Sequence, residues 1–134
     1  MKETIVFDTN VLISGYLWKG KSRQAIRLVK STKLRLLFCK ETMDEFVRVL
    51  SKKFGLNAHE IYRVVLDIES IGKNIDVISR EHPVNVDPSD NVFINLAIDG
   101  DAKLIVSGNS HLLKLKSYGE IEIITVDEFV KRYS

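Results

Sequence analysis

The stretch Glu3-Thr4-Ile5-Val6-Phe7-Asp8-Thr9-Asn10 decides how the rest of the chain is interpreted. Its β-branched and apolar run, residues 4–7, predicts a strand that is buried on both faces. A helical apolar pattern begins at Val11, directly after the polar residues. Open parallel sheets bind ligands just beyond the carboxyl ends of their strands, so Asp8 is expected where such folds carry out chemistry. The alternative is that Asp8 only caps the next helix, as aspartate often does.

The composition is that of one globular domain. The chain has 134 residues, a formal net charge of +2, 45% hydrophobic residues and 28% charged residues, which is enough to bury a core without cross-links. The single Cys39 lies in an apolar run, so we expect a buried thiol in a reducing compartment. No signal peptide precedes the first strand, and no apolar run approaches membrane-spanning length. We therefore predict one cytoplasmic domain over residues 1–134, not attached to a membrane.

Strand and helix patterns alternate along the whole chain. Strands are predicted at 4–7, 34–39, 75–78, 104–106 and 121–125. Helices are predicted at 11–18, 23–30, 40–54, 58–71, 91–98 and 126–133, with a short one after 109. Ser22 and Asn57 are the expected N-caps of the second and fourth helices. The alternation predicts a three-layer α/β domain with a mostly parallel sheet.

Three acids fall at comparable points in this alternation. Asp8 follows the first strand, Glu45 lies in the first turns of the helix after the second strand, and Asp90 begins the helix that leads to the fourth strand. Asn109 follows that fourth strand. If the strands are neighbours in a parallel sheet, the four side chains converge at one edge. Two carboxylates about 4 Å apart repel by about 4 kcal/mol at an effective dielectric of about 20, so three of them must take up a proton or hold a cation.

The chemistry of such a cluster points to a hard metal ion. Oxygen-only ligands favour Mg²⁺ or Mn²⁺ over zinc. An ion of this kind orients a water molecule, lowers its pKa and neutralises charge on a phosphate that is being displaced. Metal-assisted hydrolysis of a phosphodiester is therefore the reaction class that these residues predict.

Four motifs, in this order, resemble those of PIN-domain proteins. They are Asp8-Thr9-Asn10-Val11-Leu12, Glu45 within residues 41–46, Asp-Pro-Ser-Asp-Asn-Val-Phe at 87–93, and Ile-Val-Ser-Gly-Asn-Ser-His-Leu-Leu at 105–113. The resemblance covers essentially the whole chain and is closest to the prokaryotic VapC-like branch, the toxins of toxin–antitoxin pairs. It implies a small α/β/α sandwich around a five-stranded parallel sheet and a ribonuclease that depends on Mg²⁺ or Mn²⁺.

The resemblance also implies roles for individual residues and partners. Asp8, Glu45 and Asp90 match the acidic metal ligands of the family, and Thr9 and Asn10 match polar residues that support the first of them. An RNA substrate, an antitoxin protein and a homodimer are the partners that the resemblance implies.

The chain departs from the family pattern after the fourth strand. Asn109 and His111 stand where the family commonly has acids, which leaves three carboxylates and favours one tightly held ion over two. Asn109 is still counted among the catalytic candidates, because an amide oxygen can reach a metal or accept from a water. Ser107, just before it, is counted as a supporting residue. His111 is interpreted as a surface or supporting residue rather than a proton shuttle, and Asn109 could equally be a plain turn residue.

Several candidates have structural alternatives that the sequence leaves open. Glu45 could be an exposed helix acid, with Glu41 and Asp44 as rivals on the same helix. Asp90 is expected both to cap its helix and to bind metal. Clustered basic residues are candidate phosphate anchors near the active edge, and their alternative is a solvated loop. These basic residues are Lys19, Lys21 and Arg23.

Three functions compete at this point. The leading hypothesis is a metal-dependent endoribonuclease. The second is a catalytically weak or inactive RNA- or protein-binding module on the same fold, which the missing fourth acid motivates. The third is a phosphotransfer domain with Asp8 as phosphate acceptor, which is disfavoured because Asn10 replaces the second acid of an Asp-x-Asp pair.

Overall fold

A six-stranded sheet runs through the part of the chain that the structure, a computed structural model, describes, residues 3–134. Its strand order is β3-β2-β1-β4-β6-β5. The strands are β1 (Glu3–Phe7), β2 (Leu34–Phe38), β3 (Gly72–Asn74), β4 (Leu104–Val106), β5 (Ser117–Tyr118) and β6 (Ile121–Ile124). β1 pairs in parallel with β2 on one side and β4 on the other. The first strand of the chain is therefore central, and the residue that follows it lies at the middle of one sheet edge.

Helices flank both faces of this sheet. They are α1 (Thr9–Leu17), α2 (Lys21–Ser31), α3 (Lys40–Lys52), α4 (Ala58–Ile71), α5 (Asn91–Asp99), α6 (Ser110–Leu115) and α7 (Val126–Tyr133). One apolar core lies between the sheet and α1, α2, α3, α4 and α7, with Phe46 and Phe129 at its centre. A second core lies between the opposite face and α5 and α6. The predicted α/β architecture with a mostly parallel sheet is confirmed.

The predicted number of strands is wrong by one. β5 pairs antiparallel with β6. Positive φ angles occur at Lys116, just before β5, and at Gly119, in the turn between the two strands, and are 60° and 59°. A strand of two residues is too short to show any apolar alternation, so the sequence pattern could not reveal it.

The third strand also lies earlier than predicted. It spans Gly72–Asn74, immediately after α4, rather than 75–78. A side chain at Gly72 would place its Cβ 2.6 Å from the Leu36 carbonyl oxygen, so glycine permits the close pairing with β2. Ile75 and Val77 pack instead against the second core as part of an irregular segment. We call this segment, residues 75–87, the strap.

Helix starts follow the predicted capping in one case and not in another. The Asn57 side chain accepts from the Glu60 N–H at 2.9 Å, and the Glu60 carboxylate accepts from the Asn57 N–H at 2.9 Å. The predicted N-cap of α4 is therefore confirmed. The prediction for Ser22 is wrong, because α2 begins at Lys21 after Gly20 and has no side-chain cap. Cys39 is buried as expected and is the N-cap residue of α3. Within residues 3–134 no helix is long and apolar enough to cross a membrane.

Candidate active site

Asp8 directly follows the carboxyl end of β1, where it caps α1 and is also the first candidate site residue. Its backbone N–H donates to the Val106 carbonyl at 3.1 Å, which extends the pairing with β4. One carboxylate oxygen, Oδ1, accepts from the Val11 N–H at 2.9 Å and so caps α1. The other, Oδ2, accepts from the Ser107 hydroxyl and from the Gly108 N–H at 3.2 Å. The capping alternative is therefore correct without excluding the other role.

The environment of this carboxylate is unfavourable for a negative charge. Asp8 is only 3% exposed, and burial raises its pKa above the ordinary value, while the hydrogen bonds from Ser107, Val11 and Gly108 oppose that effect. A buried carboxylate that carries this many donors is held in one orientation, with its charge compensated only by dipoles.

The loop between β4 and α6 connects Asp8 and Asp90, two of the three acids predicted at this edge. Ser107 is fully buried, donates to Asp8 and accepts from the Asn109 N–H at 2.9 Å. Asn109 caps α6 through its Oδ1, which accepts from the His111 N–H at 2.8 Å. Its Nδ2 donates to Asp90 Oδ2 at 3.0 Å. The turn-residue alternative for Asn109 is therefore observed, and the residue also contacts Asp90, while its catalytic role stays a prediction.

Asp90 lies at the end of a 3₁₀ turn (Pro88–Asp90) that leads directly into α5. Its side chain makes no capping hydrogen bond, so the expected capping role is wrong. Asp87 caps the turn instead, accepting from the Ser89 N–H at 3.1 Å and from its hydroxyl at 2.6 Å. The Asp90 side chain is thus free to face Asn109 rather than its own helix.

Burial is also the largest influence on Asp90, which is 7% exposed. It raises the pKa of Asp90, and the negative charges of Asp87 and Asp8 act in the same direction, against the Asn109 hydrogen bond and His111. His111 Nδ1 lies 3.8 Å from Asp90 Oδ2, too far for a hydrogen bond. The charge of Asp8 is the smallest of these influences on the pKa of Asp90.

The Glu45 side chain does not form a three-acid group with Asp8 and Asp90. Glu45 lies on α3 with its side chain 38% exposed, and Arg48, 4.0 Å away, is its one ion-pair contact within residues 3–134. Over the same residues, no group of three or more His, Cys, Asp or Glu side chains is close enough to hold a metal ion. Asp44 pairs with Lys40 at 2.8 Å on the exposed side of α3. The role of Glu45 as a ligand stays a prediction.

The two polar residues after Asp8 support it less directly than expected. Thr9 is buried at the start of α1, whereas Asn10 is exposed. The Asn10 backbone N–H acts to lower the pKa of Asp8, as the smallest of the influences on it. Within the described part of the chain, neither side chain forms a hydrogen bond with that carboxylate, so the support comes from the helix backbone.

Two of the three basic candidates are occupied by structural contacts. Lys21 pairs with Asp127 on α7 at 3.3 Å. Arg23 donates to the carbonyls of Gly15 and Tyr16, at 3.4 and 3.5 Å, near the end of α1. Lys19 is exposed and has no ion-pair partner within residues 3–134. A phosphate-anchoring role stays a prediction for all three, and Lys19 is the one that is not committed elsewhere.

Sequence analysis missed the two asparagines that hold the strap. The Asn91 carboxamide accepts from the Val84 N–H and donates to the Val84 carbonyl, both at 2.8 Å. Asn95, one turn later on α5, does the same with Glu81 at 2.8 and 2.9 Å. Both asparagines are buried. Their signal in the sequence is two polar amides at i and i+4 on an otherwise apolar helix, which have to find buried partners.

The donor set at this edge fits a hard divalent ion. Mg²⁺ is commonly held by one or two carboxylates, with waters and substrate phosphates completing its coordination. Asp8 and Asp90 supply two carboxylates, with the Ser107 hydroxyl beside Asp8 and the Asn109 amide nitrogen beside Asp90. Since burial raises the pKa of both acids, a cation would relieve the unfavourable charge.

Comparisons with known proteins agree with this architecture. A family model described as PIN domain matches residues 4–111, from β1 into α6. The crystal structure of PAE2754 from Pyrobaculum aerophilum superposes with a TM-score of 0.54 over 99% of this chain and 98% of that chain, at 14% identity. At that identity the similarity concerns the fold alone. A comparison with curated proteins found no match.

Proposed function

We propose that this chain, which belongs to the PIN-domain family, is an endoribonuclease that depends on Mg²⁺ or Mn²⁺. PIN domains are generally nucleases. The observation that carries the proposal is the loop from Ser107 to Asn109, whose first two residues donate to Asp8 and whose third donates to Asp90. Two distant carboxylates are thereby kept at one edge of the sheet, where open α/β folds bind their ligands.

In this proposal Asp8 and Asp90 hold the ion. When bound, it supplies an activated water and neutralises charge on the phosphate. Glu45 is proposed as a third ligand, because its exposed pairing with Arg48 at 4.0 Å is of a kind worth about 0–1 kcal/mol and is easily given up.

The neighbouring polar residues keep the acids in position. The Ser107 hydroxyl and the Gly108 N–H fix the orientation of Asp8. The Asn109 amide donates to Asp90 and adds no negative charge. With two buried carboxylates and a neutral amide, the site has charge for one ion rather than two.

The test is cleavage of defined RNA by the purified protein. We expect single-stranded or structured RNA to be cut with Mn²⁺ or Mg²⁺ and to remain intact in EDTA. Asp90→Asn, purified in the same way, controls for contaminating nucleases. Equal cleavage by the wild type and this variant would refute the proposal.

One observation favours a second candidate, a binding module without catalysis. No three-acid group is present within residues 3–134, and Asn109 is neutral. This alternative predicts RNA binding that is unchanged in EDTA, no cleavage at any metal concentration and no heat of Mn²⁺ binding by calorimetry.

We also propose that the protein is the toxin of a toxin–antitoxin pair, acting in the cytoplasm on RNA, as a homodimer held inactive by an antitoxin. Large exposed apolar side chains support a protein partner. They are Trp18, Tyr62 and Leu66. Expression in bacteria should arrest growth, Asp8→Asn should abolish the arrest, and light scattering should give twice the chain mass. Normal growth of expressing cells would argue against the toxin role.

A further inference from the structure

A cavity of about 530 Å³ lies between the strap and α5, beside the turn that carries Asp90. Pro88 and Ser89, the two residues before Asp90, form part of its wall, and Glu41 from the first turn of α3 forms another part. The strap residues 77–82 contribute most of the remaining wall. Its volume is within the range of small-molecule binding sites, and a substrate bound at the acids would have this cavity as its neighbour.

Hydrogen bonds from α5 hold the strap side of this cavity in place. Asn91 and Asn95 fix the strap by two hydrogen bonds each, as described above. Asp99 at the end of α5 accepts from the Ile78 N–H at 2.6 Å and from the Ser79 N–H at 2.9 Å, as well as from the Ser79 hydroxyl. The strap is therefore anchored at three points along one helix, and the cavity exists before any ligand arrives.

Two charged side chains in the wall remain available to a ligand. Glu41 and Arg80 form no hydrogen bond or ion pair through their side chains within residues 3–134. Glu81 is different, because its carboxylate accepts from the Tyr118 hydroxyl at 2.6 Å. The cavity thus presents a carboxylate acceptor and a guanidinium donor that no internal contact within residues 3–134 uses, and the His82 ring also forms part of its wall.

The rest of the lining is suited to a flat apolar group. Val77, Pro88 and Val92 contribute apolar surface, and Ile78 is 82% exposed, which is unusual for an isoleucine. A splayed nucleobase requires an apolar face to pack against and a donor and an acceptor for its edge. A phosphate would match Arg80 but would be repelled by Glu41, so the mixed charge favours a base.

We infer that this cavity binds the base of the nucleotide next to the scissile phosphate in single-stranded RNA, with Glu41 and Arg80 determining which base is accepted. The inference rests on the proposed nuclease function, since it assigns a substrate contact to the same site. Glu41 accepts from the edge of the base, Arg80 donates to it, and the side chains of Val77, Ile78 and Val92 pack against its face.

The experiment uses two variants and a matched control for each. Arg80→Ala and Glu41→Gln change the cavity, whereas Arg63→Ala and Glu69→Gln change exposed residues of α4. Each protein cuts a randomised single-stranded RNA, and the bases flanking the cuts are sequenced. Steady-state kinetics are measured on one preferred RNA. We expect the cavity variants to raise KM roughly tenfold, to leave kcat within about twofold and to change the base preference, because each lost base contact is worth that order of discrimination. The controls should match the wild type.

Two outcomes separate this inference from the proposed function. If the wild type cuts RNA and both cavity variants keep its KM and base preference, the inference is wrong and the nuclease assignment stands. If the wild type cuts no RNA, the nuclease assignment fails. Fluorescence anisotropy of a single-stranded RNA in EDTA then decides the inference, because equal affinity of the wild type and Arg80→Ala would overturn it. Thermal unfolding of each variant checks that the fold is retained.

Discussion

The two regions that border the site are held in place by different interactions. At the centre of the sheet, β1 and β4 are buried between two apolar cores, and their backbones pair directly. The strap has no regular structure and is held by side chains of α5 that bond to its backbone. Asp8 therefore follows a strand that is held by apolar burial, whereas the segment before the Asp90 turn is held by polar anchors. Substitutions in the two regions should therefore have different effects on cleavage and on the free energy of unfolding.

The largest expected effect is the loss of the central carboxylate. We expect Asp8→Ala to lower the cleavage rate by about 1,000-fold, the scale for losing a main electrostatic contributor. It should also lower the free energy of unfolding by about 1–2 kcal/mol, since the cap of α1 is lost. Single-turnover kinetics and urea denaturation measure the two effects. Activity within tenfold of the wild type would remove Asp8 from the mechanism.

The second-largest effect is expected from the loss of Asn91, which anchors the strap at Val84. In Asn91→Ala the buried N–H and carbonyl of Val84 lose their partners, and each orphaned group costs about 1–3 kcal/mol. We expect the free energy of unfolding to fall by about 2–4 kcal/mol, measured by urea denaturation.

Asn95→Ala is the matched control for this anchor. It removes the partner of the Glu81 backbone N–H and carbonyl. Glu81 is exposed, so water can replace the two lost hydrogen bonds. We expect a loss of only about 1 kcal/mol there. Equal losses in the two variants would show that the strap is uniformly solvated and would weaken the comparison.

Addition of metal should stabilise the folded chain. A ligand at 100 times its dissociation constant contributes about 2.7 kcal/mol. We expect Mn²⁺ to raise the unfolding temperature of the wild type and to leave that of Asp90→Asn unchanged, by scanning calorimetry. An identical shift in both proteins would indicate binding elsewhere.

A smaller effect is expected on α3. Glu45→Gln should weaken Mn²⁺ binding about tenfold, the scale for a contributing ligand that is not indispensable, without changing stability. Asp44→Asn, one residue earlier and paired with Lys40, is the control and should bind Mn²⁺ as the wild type does. Titration calorimetry measures both affinities, and equal values would leave the site with two carboxylates.

The smallest effect concerns the lower end of the strap. Burial acts to raise the pKa of Asp99, but hydrogen bonds from Ser79 and Ile78 outweigh it, and the pKa lies below its ordinary value of 3.8. A lowered folded-state pKa stabilises the protein above the unfolded value, and that contribution is lost as pH falls through the folded value. The amide resonances of Ile78 and Ser79 should therefore shift below about pH 4, and Asp99→Asn should abolish the shift.

Most of the central region could be predicted from its residues. Short β-branched runs such as 4–7 and 104–106 are strongly apolar, and the polar residue after each one necessarily falls at a sheet edge. Asp8, Ser107 and Asn109 were found in this way. The position of Asp90 was also found, but not its lack of a cap, because the turn that Asp87 closes precedes it.

The strap could not be predicted, because its interactions are between side chains and backbone. The apolar residues of 75–78 alternate as in a strand. Ile75 and Val77 nevertheless pack against the second core as part of the strap, and Ile78 faces outward. The contacts of Lys21 and Arg23 depend on tertiary neighbours. The reach of Glu45 depends on a rotamer that no sequence pattern specifies.

The two oxygens of Asp8 have different partners, one in α1 and the other in the loop after β4, and this affects how related sequences are interpreted. An asparagine caps a helix as well as an aspartate does, but both Ser107 and Gly108 aim donors at the second oxygen. An amide nitrogen at that position would face the fixed Gly108 N–H, so folding alone favours the acid. A relative without any nuclease activity would still be under pressure to keep aspartate here. Among such relatives, the retention of this residue is no proof of enzymatic competence.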